Sequence, residues 1–205
     1  MKLLYAQGAC SLSTHICLEE LGIPYEAQMV SIQKKGPELL KFNAFGYVPV
    51  LVLDSGEAMT EAIALLQYLA VTYGNKKKLI PDAGTKEWRS CLRWLSFTSS
   101  ELHKTAGVLF HKESLTPEYI KEVQNRVESR MGYMDSHLTN DKFLVGEEFS
   151  IADMYALAIL RICHHVGFKL EKYSALKRYT DMLEIIPSIS KVLSRENKES
   201  AKKTA

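Results

Sequence analysis

Strand-like patterns stop near residue 84, and this break constrains the fold more than any other feature of the chain. Before it, Lys2 to Ala6 reads as a short buried strand. Ser11 to Leu21 reads as a helix, with Ile16, Leu18 and Leu21 apolar and Glu19 and Glu20 exposed; Gly22 ends it and Pro24 lies just beyond. Tyr25 to Ile32 alternates as a second strand, and Pro37 to Phe42 suits a short helix. Val48 to Leu53, broken by Pro49, turns at Asp54-Ser55-Gly56 and returns as Glu57 to Met59. Glu61 to Thr72 is predicted helical, with Ile63, Leu66 and Leu69 one above another. The order βαβ, short helix, ββα predicts two parallel strands joined by a right-handed crossover, plus an antiparallel pair. A small mixed sheet covered by helices follows.

After the break every pattern is helical. Tyr73 to Gly84, with Lys76-Lys77-Lys78 and Pro81, reads as a connecting segment whose lysines are solvated. The predicted organisation is an α/β domain over residues 1–75, a linker over 76–84 and an all-α domain over 85–205. Apolar residues at 88, 91, 92, 95, 102, 106 and 109 predict one long helix from Thr85 to Phe110. Its stripe of Ser96, Ser99, Ser100, His103 and Gly107 is small and polar, opposite Trp88, Cys91, Leu95 and Leu102. Thr116 and Pro117 open a helix to about His137. Ser150-Ile151-Ala152-Asp153 predicts a capping box, with Phe149 and Met154 at the staple positions. Two further helices, Tyr173 to Ile186 and Ser188 to Arg195, precede a polar tail, Glu196 to Ala205, expected to fray.

Composition narrows the function classes. The chain has 205 residues, 46% apolar and 24% charged, enough for a sizeable core. With 26 basic against 24 acidic side chains, the net charge of +2 argues against nucleic-acid and anionic-membrane partners. No run approaches the about 20 apolar residues of a membrane span. The apolar run Leu3 to Ala6 is shorter than the roughly 7–15 residues of a signal sequence. The expectation is a cytoplasmic protein. Cysteines stand at 10, 17, 91 and 163 without metal-type spacing, so four reduced thiols are expected. Cys17, Cys91 and Cys163 lie in helical apolar patterns and suit the core. His164 and His165 are adjacent and face different sides of a helix, so no metal is expected.

Three segments carry candidate chemistry. Gly8-Ala9-Cys10-Ser11 lies between a strand end and a helix start, where outward amides and partial positive charge stabilise a thiolate. That place suits the Cys10 thiol, or the thiol of a bound ligand, and equally a small filler in a tight turn. In Tyr47-Val48-Pro49-Val50 the X-Pro bond is a candidate for the cis form. Cis geometry would turn the Val48 backbone outward to pair with an extended peptide; a plain edge-strand proline is the other reading. At Thr60-Glu61-Ala62 the amides of a helix start can take a carboxylate and Glu61 an ammonium. An ordinary acidic first turn explains the same residues. Together the segments match a thiol, a peptide backbone and an α-amino-acid end, the three parts of glutathione. Lys34 or Lys35 could meet its glycine carboxylate.

Along nearly its whole length the chain resembles a glutathione transferase. Tyr47-Val48-Pro49-Val50-Leu51 and Thr60-Glu61 mark the thioredoxin-like half, and Phe149-Ser150-Ile151-Ala152-Asp153 the helical half. Lys2-Leu3-Leu4-Tyr5, Gly8 to His15 and Trp94 to Lys104 resemble the bacterial beta class. The resemblance implies an α/β N-terminal thioredoxin-like domain followed by an all-α C-terminal helical domain. It implies that Cys10, between Ala9 and Ser11, contacts the glutathione sulfur and forms a mixed disulfide with it. Lys35 would bind the glycine carboxylate, Val48 beside a cis Pro49 the backbone, and Glu61 with Ala62 the γ-glutamyl end. His103 and Lys104 would approach the sulfur, and Ser96 and Ser100 would serve the pocket of a homodimer partner. Ala62 stands where the wider family often has serine, and Ser96 where the beta class often has asparagine. Tyr5, Phe110, Ile162 and His165 are candidate walls for a small hydrophobic electrophile. The implied activity is conjugation of the glutathione thiol, with thiol–disulfide exchange beside it. A non-catalytic ligand carrier or protein-interaction module is the alternative of a different class. A regulator that has lost glutathione binding fits less well with Cys10, Pro49 and Glu61 in place.

Overall fold

The computed structural model describes residues 1–75 and 77–204. Lys76 of the lysine run and Ala205 of the tail lie outside the described residues. The chain forms two compact units, Met1–Ile80 with Glu184–Ala205, and Pro81–Leu183.

The first unit is built on a four-stranded sheet of order β2-β1-β3-β4, from β1 (Lys2–Tyr5), β2 (Glu26–Met29), β3 (Val50–Val52) and β4 (Ala58–Thr60). β1 and β2 are parallel, joined through α1 (Leu12–Leu21). β3 runs antiparallel to β1 and to β4. Leu3, Leu4, Tyr5, Val50 and Leu51 are fully buried in the sheet core. α2 (Pro37–Leu40) precedes β3, and α3 (Ala62–Tyr73) follows β4. Gly22 closes α1 in the left-handed region at φ 65, with its N–H on Glu19 and Leu18 carbonyls. On α3 the buried face is Ala62, Leu65, Leu66, Leu69 and Ala70, and Ile63 is only half-buried.

α9 (Pro187–Thr204) does not fray after Arg195, and it belongs to the first unit, not to the helical domain drawn over 85–205. It packs on α1, with Ile189 and Val192 buried. Glu196 is only 3% exposed because its carboxylate meets the buried ring of His15. For the same reason Glu19 and Glu20 are not exposed: Lys191 and Arg195 pair with Glu19, and Ser188 donates to Glu20.

The second unit is helical. α4 (Lys86–Phe97) passes into a π-helical segment, Thr98–His103, then α5 (Lys104–Gly107) and a 3-10 stretch, Val108–Ser114. The single long α-helix expected from Thr85 to Phe110 keeps helical backbone angles at Thr98, Lys104 and Val108 but changes hydrogen-bond register at Thr98 and at Val108, a change an apolar spacing rule does not detect. α6 (Pro117–Leu138), α7 (Ile151–His165) and α8 (Ser174–Glu184) complete the unit. Cys91, Trp94, Leu95, Leu102 and Ala106 are buried, while Ser96 and Ser100 are exposed and Ser99, His103 and Gly107 half-buried. Cys17, Cys91 and Cys163 are wholly buried.

The capping box is present: Asp153, fully buried, accepts from Ser150 N at 2.8 Å and Ser150 Oγ at 2.9 Å. It also accepts from Leu144 N at 2.9 Å and Tyr179 Oη at 2.8 Å. Burial lifts the Asp153 carboxyl above the usual range, and these bonds oppose the shift. Among the described residues no helix is long and apolar enough to cross a membrane.

Candidate functional site

Strand register brings the three sequence segments to one end of the sheet. Leu4 of β1 pairs with Val50 of β3, and Val50 with Thr60 of β4. Because β3 runs antiparallel to both neighbours, the exit of β1, the entry of β3 and the exit of β4 share one edge. The Cys10 loop leaves β1 there, Val48 and Pro49 enter β3 there, and Glu61 leaves β4 there.

The Cys10 loop is tied at both feet. Ala6 N donates to Ser11 Oγ and Ser11 Oγ to Ala6 O, each at 3.2 Å. Ser11 is wholly buried and turned back to the strand, so it gives α1 no side-chain cap. Gly8 supplies the left-handed turn at φ 70. Ser13 Oγ donates to Cys10 O at 2.7 Å. Cys10 is half-buried, and its thiol donates to the Val48 carbonyl at 3.4 Å. The Val48–Pro49 bond is cis.

Lys35 is exposed with φ 43, and its ammonium stands 5.9 Å from the centroid of the Tyr47 ring. Its stem lies so close to the chain that a Cβ at Gly46 would fall 2.9 Å from Lys35 Cγ. Lys35 therefore sits beside the segment leading to Val48. Glu61 is exposed and holds φ 69, ψ 112, an uncommon conformation for a residue other than glycine. It opens α3 without a side-chain cap, so no side chain at the N-cap takes up the first amides of the helix.

In the second unit, His103 Nδ1 lies 3.0 Å from Tyr155 Oη. Burial, with the Lys104 charge beside it, pushes His103 down to about 4. No local pattern linked His103 to Tyr155, since the two are 52 residues apart. Lys104 is exposed, and Ser100 Oγ donates to Ser96 O at 2.9 Å. Phe110 and His165 stand with ring centroids 6.0 Å apart, and Ile162 is buried. Tyr5, in the first unit, is wholly buried with its hydroxyl donated to Glu199. His164 and His165 are both exposed, and the described residues contain no group of three or more His, Cys, Asp or Glu able to hold a metal.

A thioredoxin-like unit with a cysteine loop, a cis-proline turn and an acidic helix start at one sheet end, together with a helical unit in the same chain, is the two-domain composition of a thiol-using transferase. Residues 8–72 match the family described as glutathione S-transferase, N-terminal domain, and residues 97–187 match glutathione S-transferase, C-terminal domain. Glutathione S-transferase GstA of Escherichia coli O157:H7 is 33% identical over 96% of this chain and 98% of its own. The Sphingomonad glutathione S-transferase solved with glutathione is 33% identical with TM-score 0.88, covering 96% of this chain and 99% of that one. The bacterial beta-class enzyme of Sphingomonas chungbukensis is 35% identical with TM-score 0.86, covering 96% and 98%. The chain belongs to the glutathione S-transferase family and is a glutathione transferase, with glutathione as co-substrate.

Proposed function

We propose that the first unit holds glutathione at the sheet end through Cys10, Ser11, Val48, Glu61 and Ala62, with Lys35 at the glycine carboxylate. The observation that carries this is the register Leu4–Val50–Thr60, which places the three segments side by side. Amides at the start of α1 and its partial positive charge stabilise the glutathione thiolate. The thiol proton leaves to solvent, and the sulfur attacks an electrophilic carbon. A C–S bond forms as the leaving group departs with its electron pair. The electrophile is a small hydrophobic molecule, and Phe110 with His165 is a proposed wall for it. A homodimer, in which Ser96 and Ser100 face the partner's glutathione, follows the family resemblance.

Exchange is the second reaction at the same place. Cys10, as thiolate, attacks a glutathione-containing disulfide; one S–S bond forms, one breaks, and the departing thiolate takes up a proton. The position of the Cys10 sulfur against Val48, the proposed backbone pairing point, favours keeping this reaction. The test is calorimetric titration with glutathione, then turnover of an aromatic halide and of hydroxyethyl disulfide by wild type and Cys10→Ala. Binding with turnover is expected, and Cys10→Ala should lose exchange while retaining conjugation. Full exchange activity in Cys10→Ala would remove Cys10 as nucleophile. Binding without turnover of either substrate would favour the carrier reading.

A further inference from the structure

Four side chains in little more than one turn of α9 reach the two anchors of the Cys10 loop and the loop itself. Glu196 Oε1 stands 2.8 Å from His15 Nδ1, and Arg195 Nη1 stands 3.4 Å from His15 Nε2. A carboxylate accepts and a guanidinium only donates, so Nδ1 carries the proton and Nε2 is the acceptor. His15 lies on α1 and is wholly buried, so both ring nitrogens depend on α9 for their partners. One turn further on, Glu199 accepts from the hydroxyl of Tyr5, the last residue of β1. Burial, reinforced by Glu199, keeps the Tyr5 phenol well above its ordinary value and therefore a donor. Between these two, Asn197 Oδ1 accepts from Gln7 Nε2 at 3.1 Å, within the loop. The Tyr5 and His15 rings themselves lie 4.9 Å apart.

The loop from Ala6 to Ser11 is thus suspended between a strand end and a helix, and both are fixed from outside by one face of α9. We infer that Glu196 and Glu199, with Arg195, are positioning residues for the thiol site. They hold His15 and Tyr5 at a set spacing, and so aim the Cys10 sulfur and the first amides of α1. This rests on the Cys10 loop being the glutathione thiol site. A misplacement of about 1 Å in such a site is enough to cost binding or rate.

The test uses the full chain, with wild type, Glu196→Ala/Glu199→Ala, Glu196→Gln/Glu199→Gln and Glu199→Ala. Alkylation of each cysteine by iodoacetamide is followed by mass spectrometry, beside steady-state kinetics in glutathione. Cys17, Cys91 and Cys163 are wholly buried and report unfolding. For the folded Ala/Ala variant the expectation is a KM for glutathione raised roughly tenfold with kcat changed far less, and an altered Cys10 alkylation rate. The Gln/Gln variant, which keeps oxygen acceptors at both places, should recover most of the loss. Wild-type KM and wild-type Cys10 reactivity in folded Ala/Ala would overturn the inference. If the buried cysteines of Ala/Ala react, Glu199→Ala, altered at a half-buried position, decides by the same two readouts. Failure of glutathione to protect wild-type Cys10 would instead sink the thiol-site reading, and the alkylation rates would still judge the role of α9.

Discussion

In the helical unit, α4, α6 and α7 each begin on a hydroxyl that accepts from an amide of their own first turn. Thr85 accepts from Trp88, Thr116 from Tyr119, and Ser150 from Ala152 within its capping box. In the thioredoxin-like unit, α1, α2 and α3 begin on Ser11, Gly36 and Glu61, and none of these makes a side-chain cap. Ser11 is chemically as able to cap as Ser150, but its hydroxyl is committed to Ala6. One unit satisfies its helix starts internally and gains stability. The other leaves the starts of α1 and α3 without a side-chain cap: at α1 the Leu12 and Ser13 amides turn back on the Ala9 and Cys10 carbonyls, and the partial positive charge of both helix starts is what the proposed thiolate and carboxylate would use. Stability and ligand affinity should therefore respond to substitution in different units.

The largest effect is expected at Asp153. Asp153→Ala strands the buried donors of Leu144, Ser150 and Tyr179 and should cost at least about 3 kcal/mol in urea unfolding. Folded Asp153→Ala should bind glutathione with wild-type affinity, and a parallel loss of affinity would break the comparison.

Next is the pH response of the helical unit. His103 has a folded value of about 4 against 6.5 in its ordinary state. The unfolded chain then binds more protons than the folded one between those values. Stability is full above about pH 6.5 and falls as pH drops toward 4, by up to about 3 kcal/mol. Urea titrations at several pH values should show this slope in wild type and its loss in His103→Gln. Equal slopes would contradict the buried placement of His103.

At Glu61 the two quantities should move in opposite directions. Glu61→Gly relieves a positive φ and should stabilise the fold by about 0.5–1 kcal/mol after the entropy cost of glycine. Loss of the carboxylate should weaken glutathione binding roughly tenfold, the scale of a hydrogen bond to a charged group. Thermal unfolding and calorimetry on the same sample measure both. The smallest effect belongs to Thr116→Ala, which removes one cap and should cost about 1 kcal/mol with no change in affinity.

Legibility followed the range of the interactions. The Cys10 turn, the Val48–Pro49 bond, the Glu61 helix start and the Ser150–Asp153 box are each set within a few residues, so local rules reach them. The fate of the polar tail was not legible, because Glu196 is ordered by His15, 181 residues away. Its sequence alone offers only a charged helix with few apolar anchors, for which fraying is the ordinary outcome. The π-helical segment was also hidden, since the buried Leu102 and Ala106 fit the spacing of an unbroken α-helix. His103 was singled out by motif, but the hydroxyl that meets its ring, on Tyr155, lies on another helix.

The most direct test is the amide NMR spectrum of the labelled protein titrated with glutathione. Shifts are expected to concentrate at the amides of residues 9–13, at Val48 and at residues 61–64, with the first turns of α6 and α7 unmoved. Shifts centred on those capped helix starts, with the Cys10 and Glu61 turns unmoved, would contradict it.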